Sequence, residues 1–471
     1  MRVSPRVRRG LAPHVVRLKD AALGRDVLGL LRELRTTERL PEDQLRELQA
    51  TRLGAVLAWA GAHAPYYREL FREGGIDPRA IRDPSDLARI PVLTRSLVRA
   101  RNAELVAPKY RRGFVQTVHT SGSTGEPLSV QCDAPAMSHH LANRLRGRAW
   151  HGIAVGDPEL RVWDDPRAYV GQSLAKRAFW TADAVKDRLL NVRKVAATDL
   201  SEGALASWER ELRRVRPAVI YGYASSICLF ARYLHDRGTE CRDLPVRAVV
   251  LTGEKAMPDQ KRLVADVLDA AVVEEYGSAE CGIIAFECPE GRLHTSDESV
   301  VLEIAEPDAD GMGPLLVTTL SNRVMPLVRY EIGDVGSRSA ERCPCGRGLG
   351  IVREVAGRST DFLVDWRRQR VHAFRLMHVL QRFSKIVRYR IVQRAVGAVE
   401  LVAHVTTALD ESETARIVFA FREALGEETD VRIRYVSAIP VDASGKHRFL
   451  VNPKGEALAQ AWHSDRPADH S

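Results

Sequence analysis

Over residues 41–60 apolar residues recur at helical spacing, with Leu45, Leu48, Leu53, Val56 and Leu57 on one face, so the pattern predicts an amphipathic helix. Ala64-Pro65-Tyr66-Tyr67 breaks it, and a short helix is expected to run on to Phe71. Ile90-Pro91-Val92-Leu93 reads as an extended segment, with Thr94 placed to cap the next helix. From about 115 to 320 strand-like and helix-like stretches alternate. Strands are expected at Val115 to His119, Val219 to Tyr221, Arg247 to Leu251 and Val272 to Tyr276. Helices are expected at Met137 to Trp150, after Tyr221 through Tyr233, and at Gln260 to Leu268. That alternation predicts an α/β domain on a largely parallel sheet. Residues 299–338 change to period two, as in Val300-Val301-Leu302-Glu303-Ile304 and Pro314-Leu315-Leu316-Val317-Thr318, which predicts an appended β region. Beyond Gly357-Arg358, strands at Val387 to Gln393, Val399 to Val405 and Val431 to Tyr435 with a helix at Ser412 to Leu425 predict a small α+β domain. The expected organisation is a basic arm or helix at 1–40, a large domain at 41–357, a hinge at 358–361 and a small domain at 362–471. No internal repeat is present.

A chain of 471 residues is long enough for more than one core. Its 45% hydrophobic and 28% charged residues are ordinary for a soluble globular protein. No run of 18 apolar residues occurs, so no transmembrane helix is expected. Met1 to Asp20 is rich in Arg but lacks the continuous apolar stretch of a secretory signal, and reads as a frayed or surface-lying arm. Lys and Arg number 70 against 61 Asp and Glu, a formal charge of +9. The arginines are spread along the chain among acidic residues, with no nucleic-acid motif beside them. An anionic small substrate therefore explains the excess more simply than nucleic acid does. Seven cysteines without a secretory signal argue against a disulfide framework and for a reducing, cytoplasmic setting.

The local chemistry is densest at Thr120-Ser121-Gly122-Ser123-Thr124-Gly125-Glu126-Pro127, directly after the strand ending at His119. Small residues let backbone N–H groups approach phosphate oxygens, and the hydroxyls add donors. No Lys-Ser or Lys-Thr follows the second glycine, so this is not a Walker A loop. By composition alone an ordinary Ser/Gly loop would look the same.

Ser-Gly-Ser-Thr-Gly-x-Pro resembles the phosphate loop of the acyl-adenylate-forming superfamily of acyl-CoA synthetases, adenylation domains and luciferases. Ala64-Pro65-Tyr66-Tyr67, Asp86-Leu87 to Pro91-Val92-Leu93-Thr94, and Tyr221-Gly222-Tyr223-Ala224-Ser225 are similar to its phenylacetate–CoA ligase and CapK-like branch, so that the resemblance runs from about residue 50 to 455. It implies a large N-terminal α/β adenylate-forming domain and a small mobile C-terminal α+β domain. It implies that Thr120, Ser121, Gly122, Ser123, Thr124 and Gly125 hold ATP phosphates, and that Gly253-Glu254-Lys255 lie against adenine. Tyr276-Gly277-Ser278-Ala279-Glu280 matches the aromatic-Gly-x-x-Glu motif, with Tyr276 near adenine and Glu280 reaching Mg²⁺. Arg329-Tyr330-Glu331-Ile332-Gly333-Asp334 resembles Tyr-Arg-Thr-Gly-Asp, with Asp334 accepting from both ribose hydroxyls. Gly357-Arg358-Ser359-Thr360-Asp361 matches the hinge motif, with Arg358 near the ribose and Thr360 at the pivot. Ile439-Pro440-Val441-Asp442-Ala443-Ser444-Gly445-Lys446 matches the catalytic-lysine motif. Thr124, Glu280 and Lys446 are thus the candidate catalytic residues.

Cys288, His294, Cys343 and Cys345 form a donor set suited to a tetrahedral structural zinc, with Cys281 as a competing ligand and free buried thiols as the alternative. Members of the branch that carry a metal in this region favour the zinc reading. The implied reaction joins a small-molecule carboxylic acid to AMP and then passes the acyl group to CoA. After the hinge the family has a glycine-bearing stretch that lets a pantetheine arm pass. This chain reads Asp365-Trp366-Arg367-Arg368-Gln369-Arg370-Val371-His372 there, which keeps a carrier protein or an amine open as acceptor. Trp150, His151 and Tyr221 to Ser225 are candidates for the acid pocket, and Trp163-Asp164-Asp165-Pro166, an unusual sequence, stands near where the family places its acid-binding aromatics. The resemblance is compatible with a homodimer.

Overall fold

The computed structural model describes residues 5–108, 114–119, 128–163, 184–197, 199–358, 362–380, 382–383, 385–439 and 449–452. The chain divides into two compact units. One comprises Met1–Lys255 with Arg262–Val355, the other Ala256–Lys261 with Ala356–Ser471. Among the described residues no helix is long and apolar enough to cross a membrane.

The first unit opens with helices α1 (Pro5–Leu23), α2 (Val27–Thr37), α3 (Glu42–His63) and α4 (Pro65–Glu73). The segment expected as a basic arm or helix holds two helices. Much of α1 is exposed, with Leu18 at 74%, whereas α2 buries Val27 and Leu34. Asp26 caps α2 by accepting from the Gly29 N–H at 2.8 Å, which satisfies one donor left open at a helix start. The basic composition of the segment concealed this packing. Two short helices follow, α5 (Arg95–Ala100), capped by Thr94, and α6 (Asn102–Leu105).

Strands β1 (Val115–His119) and β2 (Ser129–Asp133) form an antiparallel hairpin. Asp133 ends β2 and caps α7 (Ala134–Trp150). The remainder is one eleven-stranded sheet. Its parallel part runs β4 (Val192–Ala196), β3 (Glu159–Trp163), β5 (Val219–Tyr223), β6 (Ala248–Thr252) and β7 (Ala271–Ser278). Helices α8 (Glu202–Val215), α9 (Ala224–Asp236) and α10 (Pro258–Leu268) alternate with these strands. Every residue of β5 and β6 is buried, as both-face coverage of a parallel sheet demands. Gly222 is required in β5, because a Cβ there would lie 2.1 Å from the Val162 carbonyl oxygen.

The appended β region joins edge to edge. β8 (Gly282–Glu287), β9 (Leu293–Thr295), β10 (Val300–Ile304), β11 (Gly313–Thr319), β12 (Tyr330–Ser339) and β13 (Ile351–Arg358) continue the same sheet in the order β7-β8-β9-β13-β12-β11-β10.

The second unit holds a hairpin, β14 (Phe362–Val364) with β15 (Arg370–His372), and a four-stranded sheet. That sheet is ordered β18 (Asp430–Tyr435), β17 (Ala398–Val405), β16 (Ile386–Ala395), β19 (Leu450–Val451). Helices α11 (Phe374–Leu380) and α12 (Glu411–Leu425) complete it, the latter opened by a reciprocal Asp410–Glu413 capping box. Its core includes Leu363, Leu376, Ile391, Leu401, Ile417 and Phe421.

Candidate active site and cysteine cluster

In an open α/β sheet the carboxyl ends of parallel strands leave backbone groups and loops free to hold a ligand. Here Tyr223, Thr252 and Glu275 are paired in register at that edge. Gly253 follows β6 in the left-handed region, at φ +77°, where a side chain is strained. Glu254 Oε2 accepts from the Ser225 N–H at 2.9 Å, and Lys255 Nζ meets Glu354 Oε1 at 2.9 Å.

The end of β7 turns sharply into β8. A Cβ on Gly277 would lie 2.3 Å from the Gly282 carbonyl oxygen, and Ser278 Oγ accepts from the Cys281 N–H. Two motif residues far apart in sequence meet here, for the Tyr276 hydroxyl donates to Asp334 Oδ2 at 2.8 Å. Glu280 is 3% exposed and accepts from the Tyr330 hydroxyl at 3.1 Å; Arg95 Nη1 lies 3.6 Å from the same oxygen. Burial first, and then the adjacent Glu280 carboxylate, push the Tyr330 phenol far above its ordinary range, so it stays a donor. Glu280 Oε2 takes no partner among the described residues. A buried carboxylate is a donor of the hard oxygen type that suits magnesium.

Arg95 reaches Glu280 through a backbone clip. Leu93 forms a parallel bridge with Tyr330, its N–H donating to the Arg329 carbonyl at 3.0 Å. Neither Arg95 nor the role of Tyr330 was expected from the sequence. The only signal was the extended Ile90–Leu93 segment, whose partner strand lies far along the chain.

Thr120 to Gly125, Ser359 to Asp361 and Lys446 lie outside the described residues, as do Asp164, Asp165 and Pro166. The flanking strands are described: β1 pairs antiparallel with β2, His119 opposite Ser129. Cys132 of β2 packs in one core with Cys281 and Tyr330. Arg358 ends β13 and belongs to the second unit. A cleft of about 640 Å³ lined by Arg242, Arg247, Asp266 and Asp269 opens at the opposite, amino-terminal edge of β6 and β7.

Cys288, His294, Cys343 and Cys345 come together, with their ligand atoms all within 4.8 Å of one another. Cys288 Sγ is 3.7 Å from Cys343 Sγ, and Cys345 Sγ is 3.3 Å from His294 Nε2. Tetrahedral zinc with bonds of about 2.3 Å to sulfur holds its sulfurs roughly 3.8 Å apart, so the donor set fits. His294 Nδ1 bonds the Leu349 carbonyl at 3.1 Å, which leaves Nε2 as ligand. Burial raises the Cys345 thiol, but the backbone and side chain of Arg347 outweigh it and favour thiolate overall. Cys281 is not in this group.

Trp150 and His151 also sit beside this cluster. The Trp150 indole donates to Glu38 Oε2 at 2.8 Å and packs edge-on against His294, and His151 Nε2 contacts the Glu287 carbonyl at 2.8 Å. Of the acid-pocket candidates, Trp163, Tyr221 and Tyr223 do stack together, with ring centres 4.3 Å apart for Trp163 and Tyr223.

Residues 363–453 match the family model of the CapK C-terminal domain. The chain is 27% identical over 377 residues to the phenylacetate-coenzyme A ligase of Thermus thermophilus, covering 77% of this chain and 81% of that one. It is 23% identical over 414 residues to protein CapK of Staphylococcus aureus, covering 87% and 90%. Among solved structures, 2-hydroxyisobutyryl-CoA ligase in the postadenylation state with 2-HIB-AMP superposes with a TM-score of 0.71 at 18% identity, over 91% of this chain and 94% of that one. Over most of its length the chain is similar in sequence to phenylacetate-coenzyme A ligases and to protein CapK, and its fold is that of the solved 2-hydroxyisobutyryl-CoA ligase.

Proposed function

We propose that this protein activates a carboxylic acid with ATP as an acyl-adenylate, releasing pyrophosphate, and then transfers the acyl group to the thiol of CoA. The observation that carries the reading is the hydrogen bond between Tyr276 and Asp334 at the carboxyl end of the sheet. It joins two residues 58 positions apart that this reading assigns to adenine and to ribose. Relatives named as coenzyme A ligases support the acceptor.

In this reading the acid's carboxylate oxygen attacks the α-phosphorus and the bond to pyrophosphate breaks. The thiolate of CoA then attacks the acyl carbon and AMP leaves. The backbone and hydroxyls of Thr120 to Gly125 bind the phosphates, with Gly253 to Lys255 beside the adenine. Gly277 and Ser278 shape the turn that presents Glu280. Glu280 would hold Mg²⁺, which neutralises phosphate charge. Arg358 is assigned to the ribose. Lys446 is the proposed adenylation lysine, stabilising charge that develops between carboxylate and α-phosphate. Cys288, His294, Cys343 and Cys345 would hold a structural zinc. ATP and CoA as co-substrates agree with a cytoplasmic setting.

Pyrophosphate release from ATP, measured across aryl, amino-aryl and fatty acids, tests the reading. Lys446→Ala is expected to abolish acid-dependent release while ATP binding survives; unchanged release removes Lys446 from its role.

A further inference from the structure

Alternate residues of a strand share a face. Glu159, Arg161 and Trp163 of β3, Tyr221 and Tyr223 of β5, and Glu275 of β7 point to one face of the sheet, where α7 adds Arg144 and Arg148. Glu275 accepts from Arg144 Nε and Nη2 at 3.1 and 3.3 Å and from the Tyr221 hydroxyl at 2.9 Å. Glu159 accepts from Arg148 Nη1 and Nη2 at 2.9 and 3.4 Å and from Arg161 Nε at 2.7 Å. All three guanidinium carbons stand 4.8 to 5.6 Å from the centre of the Tyr221 ring.

Among the described residues three arginines, which do not shed their protons, face two carboxylates, so this group carries one positive charge in excess. Burial disfavours the charges of Arg144 and Arg161, but the adjacent carboxylates of Glu275 and Glu159 outweigh it and hold both guanidiniums above their ordinary range. The two arginine side chains keep 28% and 23% of their surface accessible. Nη1 of Arg144 and both terminal nitrogens of Arg161 take no hydrogen bond among the described residues. Arg148 Nε is buried without a partner. The open guanidinium nitrogens can give a bound anion charge-assisted hydrogen bonds, and the positive excess favours one. The group begins one residue before Tyr276, immediately inside the sheet edge where the proposed adenylation occurs. The Trp163–Tyr223 stack gives it an aromatic wall.

We propose that the acid this protein activates carries a second anionic group, a distal carboxylate, held by Arg144 and Arg161. The inference rests on the adenylation reading and narrows its substrate class to dicarboxylic acids. The test compares kcat/KM for pyrophosphate release between aliphatic and aryl dicarboxylic acids and their mono-methyl esters, pair by pair. The diacid is expected to exceed its ester by about tenfold or more in at least one pair. Arg161→Gln leaves Glu159 paired with Arg148 and the charges balanced, and is expected to lower that ratio about tenfold, with partial recovery in Arg161→Lys. Esters that match or exceed their diacids in every pair overturn the inference while the adenylation reading stands. A variant that lowers both rates alike, leaving the ratio intact, also overturns it. No release with any acid is instead the failure of the adenylation reading, and the inference falls with it.

Discussion

Tyr276 and Asp334 show what a single hydrogen bond does at this site. The carboxylate is oriented by a phenol that donates to one of its oxygens at 2.8 Å. Tyr276→Phe keeps the ring and removes that donor. Bonds to charged groups contribute about 1.5–3 kcal/mol, so the KM for ATP in the pyrophosphate assay should rise about tenfold or more. An unchanged KM would separate Asp334 from nucleotide binding. Both residues were legible in the sequence because each sits in a short motif whose neighbours stand next to it in the chain. Arg95 was not, since its link to Glu280 depends on Leu93 bridging to Tyr330. A pairing across that separation leaves no local periodicity to read.

At the scale of elements, the cysteine cluster secures the N-terminal helices. Glu38, at the end of α2, takes the Trp150 indole and ion-pairs with Arg347, two residues from Cys345. The Gly348 N–H donates to the Glu38 carbonyl at 3.1 Å, and a Cβ on Gly348 would lie 2.0 Å from the Leu40 carbonyl oxygen. We expect about one zinc per chain, and its chelation to free this loop. Amide hydrogen exchange of α2 should then speed up before that of α12 in the second unit; equal exchange in both states would detach the cluster from α2. Residues 1–40, expected as a basic arm or helix, form two helices; their Arg-rich composition hid the few apolar positions, Val27 and Leu34, that α2 buries.

Helix α7 makes a second prediction at this scale. Burial, then neighbouring cations, pushes the imidazoles of His139 and His140 down to about 3 and about 4. In the unfolded chain both titrate near 6.5. The folded state therefore binds fewer protons than the unfolded one below that value, and stability falls as the pH drops. Full stability is expected above about pH 6.5, with progressive loss toward pH 4. Thermal melts of His140→Gln should show a shallower loss over that window than the parent protein; equal slopes would contradict the assignment.

For the whole molecule, the alternation of strand and helix over residues 115–320 was readable because β5 and β6 are apolar on both faces. That the period-two strands continue the same sheet was not, because edge pairing such as β9 with β13 joins His294 to Ile351, with three other strands between them in the chain. The sequence pattern changes after Gly357-Arg358; the second compact unit begins at Ala356 and also takes in Ala256–Lys261, which no change of pattern marks. The central claim is that the large unit supports adenylation and that CoA receives the product. Acid-dependent pyrophosphate release from ATP, with and without CoA, tests it most directly. The account predicts release that requires an acid and turns over faster with CoA; release indifferent to the acid, or none from a protein that binds ATP, would contradict it.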